Sequence, residues 1–161
     1  MVIALRPMRE EEYPAFCDYF IADYSQEIAE NYGHSLELEL AQTLARKDLL
    51  RSFPDGYKTD VHKLLCIEAE SRVVGYLWHC PNEAEHSTFI YDFYVNESCR
   101  GKGYGTEALK LLEGQLVKGG IVQIKLRVAY HNKRALALYQ ETGFMVTGYN
   151  MSKSLKLDGI I

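Results

Sequence analysis

Three groups of residues have the types and spacing to do chemistry. The first is Arg100-Gly101-Lys102-Gly103-Tyr104-Gly105-Thr106. Glycines at alternate positions let the backbone curl until successive N–H groups point into one concavity, a nest for an anion. A helix beginning at Gly105 adds unpaired N-terminal N–H groups and the positive end of its dipole. Arg100 and Lys102 supply charge that a diphosphate neutralises. The second group is Asn132 with Tyr139, seven residues apart and therefore two turns apart on one helix face. Asn132 is a natural N-cap, and either residue could be structural alone, as a cap or as a half-buried tyrosine. The third is Asp92, a lone carboxylate within Phe89-Ile90-Tyr91-Asp92-Phe93-Tyr94-Val95. An apolar strand can hold a carboxylate only beside a partner, with a proton, or at an open cleft. It either meets a cationic substrate and accepts its proton, or makes a structural hydrogen bond or ion pair to a neighbouring strand.

Other phosphate chemistries fit poorly. A dinucleotide fingerprint places glycine where Thr106 stands, and the next apolar run, Ile121 to Ala129, ends without an acid for a ribose diol. A Walker A loop needs Ser or Thr after its Gly-Lys, and Gly101-Lys102 is followed by Gly103. Cys17, Cys66, Cys80 and Cys99 form no CxxC pair, and His34, His62, His79, His86 and His131 are scattered. No metal site is expected. Widely spaced thiols, with no signal peptide at Met1 to Pro7, make the expected compartment cytoplasmic.

These groups need elements to position them. The 161 residues are 47% hydrophobic and 25% charged with a net charge of −4, an ordinary globular balance that gives no support to nucleic-acid binding. No apolar run is long enough to span a bilayer, so no membrane partner is expected. Val2 to Arg6 reads as an edge strand, Glu10 to Tyr24 and Ser35 to Leu50 as helices, and Ser52 to Asp60 as turns. Lys63–Glu70 and Arg72–Cys80 form a hairpin about Glu70-Ser71, and Thr88–Val95 a central strand covered on both faces. Gly105–Lys118 is a helix with Leu109, Leu112 and Leu116 inward, stopped by Gly119-Gly120. Ile121–Ala129 is a strand, Asn132–Glu141 a short helix, and Met145–Leu157 a closing strand or pair of strands. The order is that of an α/β (α+β) chain with a mixed sheet, in one domain spanning 1–161.

Arg100-x-x-Gly103-x-Gly105 resembles the acyl-CoA pyrophosphate loop of the GCN5-related N-acetyltransferases. Asn132-Lys-Arg-Ala135 through Tyr139 to Gly143-Phe144 resembles that superfamily's second signature, in the same order and at a suitable separation. The likeness covers about Arg72 to Leu157. It implies a mostly antiparallel sheet of six to seven strands, about four helices, and a splayed central strand pair. Residues 1–62 would then be the variable N-terminal region and 63–157 the acyl-CoA-binding core. It also implies that pantetheine bonds the backbone of Phe93, Tyr94 and Val95, and that the diphosphate sits on Arg100, Gly101, Lys102, Gly103, Tyr104, Gly105 and Thr106. Asn132 matches a residue contacting the CoA arm and Tyr139 the tyrosine near the thioester sulfur. Lys133 or Arg134 would meet the 3′-phosphate.

The implied activity is acetyl transfer from acetyl-CoA to a primary amine of a small molecule or peptide, with Tyr139 as general acid and Asp92 as the candidate base. The stretch Asp92-Phe93-x-Val95 followed by Arg100-Gly101 is also similar to the spermidine/spermine acetyltransferases. Those carry an acidic pair on this strand, where here Tyr91 precedes Asp92. A second candidate acid source is the loop Asn82-Glu83-Ala84-Glu85-His86. Tyr24, Tyr32 and Trp78 could line an acceptor pocket. The rival class is a non-catalytic acyl-CoA sensor, which needs the loop but neither Tyr139 nor a base. A homodimer is possible through the final strand.

Overall fold

The computed structural model describes residues 2–31 and 37–156. Its elements run β1 (Ile3–Pro7), α1 (Tyr13–Asn31), α2 (Leu38–Ser52), β2 (Lys63–Ala69), β3 (Arg72–Asn82), β4 (Ser87–Val95), α3 (Tyr104–Lys118), β5 (Gln123–Leu126) and α4 (Lys133–Glu141). The sheet order is β1-β2-β3-β4-β5, antiparallel except for the parallel β4–β5 pair. Glu70 and Ser71 both have positive φ, which gives the β2–β3 hairpin a turn whose twist matches its strands.

Alternation along β3 divides the interior in two. Leu77 points to one face, where it joins Ile67, Ile90, Leu109, Leu112 and Tyr139 under α3 and α4. Its neighbour Trp78 points to the other, with Phe16, Phe20, Leu49 and Phe53 of α1 and α2. Each fully buried large apolar side chain contributes about 1.5–3 kcal/mol, so both helical layers are held firmly. Gly75 fixes the spacing of β3 and β4, because a Cβ there would lie 2.1 Å from the Tyr94 carbonyl oxygen. Among the described residues, no helix is long and apolar enough to cross a membrane.

Three expectations change. The first helix runs on from Tyr24 to Asn31, since Ile28 is buried and the Ser25 hydroxyl bonds back to the Ile21 carbonyl instead of ending the helix. Tyr32, His34, the Ser35 start of the second helix and Leu157 lie outside the described residues. The sheet has five strands among the described residues, not six to seven. Residues 145–156 pair with no strand among the described residues, and a strand without a ladder partner is not a strand. Likewise only Gln123–Leu126 of the expected Ile121–Ala129 strand is paired, because the chain then diverges from β4.

Candidate functional site

The parting of β4 and β5 makes the site. Their register runs from Ser87↔Gln123 to Ile90↔Leu126 and stops there. Beyond Ile90, β4 stays paired to β3 on one side while its β5-side edge has no strand partner among the described residues. The gap opens into a cleft walled by Tyr91–Phe93, Leu126–Ala129, Asp23 and Glu27 of α1, and Asn132, Ala135 and Tyr139.

A bulge aims the side chains. Trp78 faces Asp92 and His79 faces Ile90, so Tyr91 is an extra residue without an opposite number. Phe93 and Val95 pack under α3. Asp92 and Tyr94 instead turn toward α1, where the Tyr19 ring lies 4.1 Å from that of Tyr94. Tyr91 stacks on Trp78 at 5.0 Å and stays half-exposed at the cleft rim.

Asp92 is held by Tyr19, whose hydroxyl donates to the carboxylate and lies 3.1 Å from both Oδ1 and Oδ2. Burial pushes its pKa up to about 8; the Tyr19 hydrogen bond opposes the rise, and Asp23 and Glu27 add to it. Asp23 and Glu27 are themselves raised, chiefly by burial, against the pull of Arg100 on Asp23 and of Arg127 on Glu27. Three carboxyls reluctant to ionise together favour a cation among them. Tyr139, buried beside Phe93 and Phe144, has its pKa raised by burial and by the Asp92 charge, so it keeps its proton at neutral pH.

The glycine turn lies at the open end of β4. Gly101 and Gly103 have φ of 79° and 82°, the left-handed region that glycine enters without strain. Gly103 caps α3 with no side-chain acceptor, and the first intrahelical bond shown there is Glu107 N–H to the Gly103 carbonyl. The N–H groups of Tyr104, Gly105 and Thr106 therefore face outward. A Cβ on Gly105 would come within 3.3 Å of Leu138 and 3.5 Å of Phe93, so the start of α3 sits close against β4 and α4. The concavity suits a diphosphate, and Lys102 is exposed on its rim. Arg100 points elsewhere: its Nε donates to the Val95 carbonyl at 2.8 Å and its guanidinium lies over the Tyr94 ring. It braces the loop against β4. Asn132 caps α4, its Oδ1 accepting from the Ala135 N–H at 3.2 Å while the residue lines the cleft.

Not every expected residue arrives. The Asn82–His86 loop enters β4 at its closed end, away from the cleft, where Glu85 pairs with Lys125 at 3.7 Å. Trp78 is buried with its indole N–H on His62, and the Tyr24 hydroxyl is engaged by Asp48 of α2. The sequence reading missed Tyr19, Asp23 and Glu27. Their i, i+4, i+8 spacing on one face of α1 was the available signal.

Comparison with known proteins agrees with this geometry. The model of the Acetyltransferase (GNAT) family matches residues 16–144. YycN of Bacillus subtilis, described as an uncharacterised N-acetyltransferase, is 37% identical over 158 residues, covering 96% of this chain and all of its own. The crystal structure of YycN superposes with a TM-score of 0.86 at 35% identity, over 96% of this chain and 99% of that one. The PaiA N-acetyltransferase of Thermoplasma acidophilum, solved in complex with coenzyme A, gives 0.69 at 19% identity over 93% and 94% of the two chains, a likeness of fold.

Proposed function

The chain belongs to the GNAT acetyltransferase family, and from that premise we propose that it moves the acetyl group of acetyl-CoA to a primary amine carried, as a cation, by a small molecule or peptide. The observation behind this reading is the cleft between β4 and the chain after Leu126, with an anion nest at one end and Asp23, Glu27 and Asp92 along its wall. Acetyl-CoA supplies an activated acyl group on a thiol leaving group. The outward N–H groups of Tyr104, Gly105 and Thr106 hold its diphosphate, with Lys102 beside them. The unpaired edge of β4 at Phe93 to Val95 bonds its pantetheine arm, and N–H groups there steady the charge that develops on the thioester oxygen. Asn132, already a cap, offers its free amide N–H₂ to the same arm.

An alkyl ammonium has a pKa of ~10, so its neutral form costs about 4–5 kcal/mol to reach at pH 7. Asp23, Glu27 and Asp92 draw the cation in, and Asp92 takes its proton. A carboxylate whose pKa stands at about 8 is a much stronger base than an ordinary one. The neutral amine attacks the thioester carbonyl, the C–S bond breaks as Tyr139 donates its proton to the departing sulfur, and the proton shed by the acylated nitrogen returns to the tyrosine oxygen.

Tyr139→Phe keeps the ring packed between Phe93 and Phe144 while removing that proton. It is expected to lower kcat by about 10²-fold and leave the KM for acetyl-CoA nearly unchanged. Steady-state kinetics check this, and an unchanged kcat removes the general-acid role. The sensor reading has no use for a raised carboxyl opposite a protonated tyrosine.

A further inference from the structure

Granted acetyl transfer in this cleft, on which the assignment rests, we infer that the acceptor carries a flat aromatic group close to its amine. That group lies on the ring of Tyr91 while the ammonium meets Asp92. On a regular strand consecutive side chains point to opposite faces, so the residue next to Asp92 would turn toward α3. The extra residue in β4 breaks that alternation. Asp92 reaches α1 through Tyr19, and Tyr91 stacks on Trp78, which belongs to the layer packed under α1 and α2. The ring and the carboxylate therefore stand side by side along the cleft, on α-carbons about 3.8 Å apart. A short carbon link spans from a nitrogen at Asp92 to a ring laid on Tyr91.

The Tyr91 ring is fixed from behind. Trp78 lies 5.0 Å away and nearly parallel at 22°, while Phe89 and His62 meet the ring at 4.8 and 5.5 Å. Trp78 is itself buried, its indole N–H donating to His62 Nδ1 at 2.9 Å and its ring set against Phe53 at 4.9 Å. An aromatic stack thus runs from Phe53 to the cleft wall and ends on Tyr91, which is 50% exposed. A ring already held in place loses little freedom when a second ring covers it, so the contact comes at low entropic cost.

Charge selects a neutral flat body over a second cation. The ring neighbours of Tyr91 are Trp78, Phe89 and His62, and burial lowers the His62 pKa, so it is neutral at pH 7. The other cleft acids come from α1, and Glu27 already faces Arg127 at 3.5 Å. A second ammonium on Tyr91 would find no counter-charge among those ring neighbours, whereas an aryl group finds apolar area.

Initial rates with acetyl-CoA test this on 2-phenylethylamine, 2-cyclohexylethylamine, 1,4-diaminobutane and a tripeptide beginning with phenylalanine. The kcat/KM for 2-phenylethylamine should exceed that of its cyclohexyl counterpart, similar in bulk but without a flat face, by about 5-fold. The tripeptide tells a free arylalkylamine from a chain N-terminus as the source of the ring. Tyr91→Phe should keep the ratio and Tyr91→Leu should bring it near one. Tyr91→Thr, well suited to a strand, replaces the leucine variant if that does not fold. Calorimetry of the same amines on protein saturated with coenzyme A should show the same preference without turnover. A wild-type ratio near one, a ratio that survives in Tyr91→Leu, or a diamine preferred to the aryl amine overturns the inference while acetyl transfer stands. Turnover of no amine overturns both.

Discussion

Asp92→Asn is expected to lose about 10²–10³-fold in kcat/KM and, at the same time, to make the protein more stable. Both effects come from one cause. In the native state the carboxyl ionises with a pKa of about 8, while in the unfolded chain it ionises near its ordinary value of 3.8. Between those values the native protein binds the extra proton, so stability falls as pH rises from about 4 to about 8 and then levels. The amide has no such penalty and still accepts from Tyr19. Its advantage therefore grows across that window, to about 3 kcal/mol at pH 8 once the full linkage value is discounted for a carboxyl that faces an open cleft. Urea titrations of both proteins at pH 5 and pH 8 check the sign. The wild-type kcat/KM should rise through about 8 and fall as the amine titrates at ~10, whereas the variant should keep only a single rise toward the amine. A variant that is active, or whose stability advantage does not grow with pH, contradicts the assignment of the base.

Gly103→Val should cost nearly as much at the other end of the cleft. Gly103 sits at φ 82° directly before α3, where a β-branched side chain is strained and turns the loop N–H groups out of their shared concavity. Hydrogen bonds to a charged group are worth about 1.5–3 kcal/mol each. Losing the alignment of two of them weakens coenzyme A binding by about 100-fold or more. Calorimetry with coenzyme A, and with dephosphorylated pantetheine as a control, separates this from a general loss of fold. Pantetheine has no diphosphate, so its weaker binding should be barely altered in the variant. Equal loss for both ligands would place the diphosphate elsewhere.

The ends of the cleft were legible in the sequence because they depend on local chemistry. Alternate glycines at 101, 103 and 105 announce their own backbone, and two of them take positive φ. Asn132 and Tyr139 share a face by helical arithmetic, and an acid amid Phe89 to Val95 is conspicuous wherever the strand goes. What escaped is what needs a partner. The bulge at Tyr91, which leaves Tyr91 on the cleft rim beside Asp92, exists only in the register of β4 against β3. Asp23 and Glu27 look like ordinary solvated helix acids until α1 docks across β4. Arg100 reads as a phosphate ligand because its charge is visible in sequence, while its bond to the Val95 carbonyl is not. Residues 145–156 read locally as a strand, but a strand exists only with a ladder partner, and none of the described strands pairs with them.

The most direct test of the central claim is acetyl-CoA-dependent thiol release over a panel of polyamines, aminoglycosides, amino acids and short peptides. Controls without protein and without amine account for the cysteines, Cys17, Cys80 and Cys99 of which are partly exposed. Turnover of amines that are cations at pH 8, abolished by Asp92→Asn, is the expected result. Protein that binds acetyl-CoA yet acetylates none of these amines, or acetylates them equally well without Asp92, would contradict it.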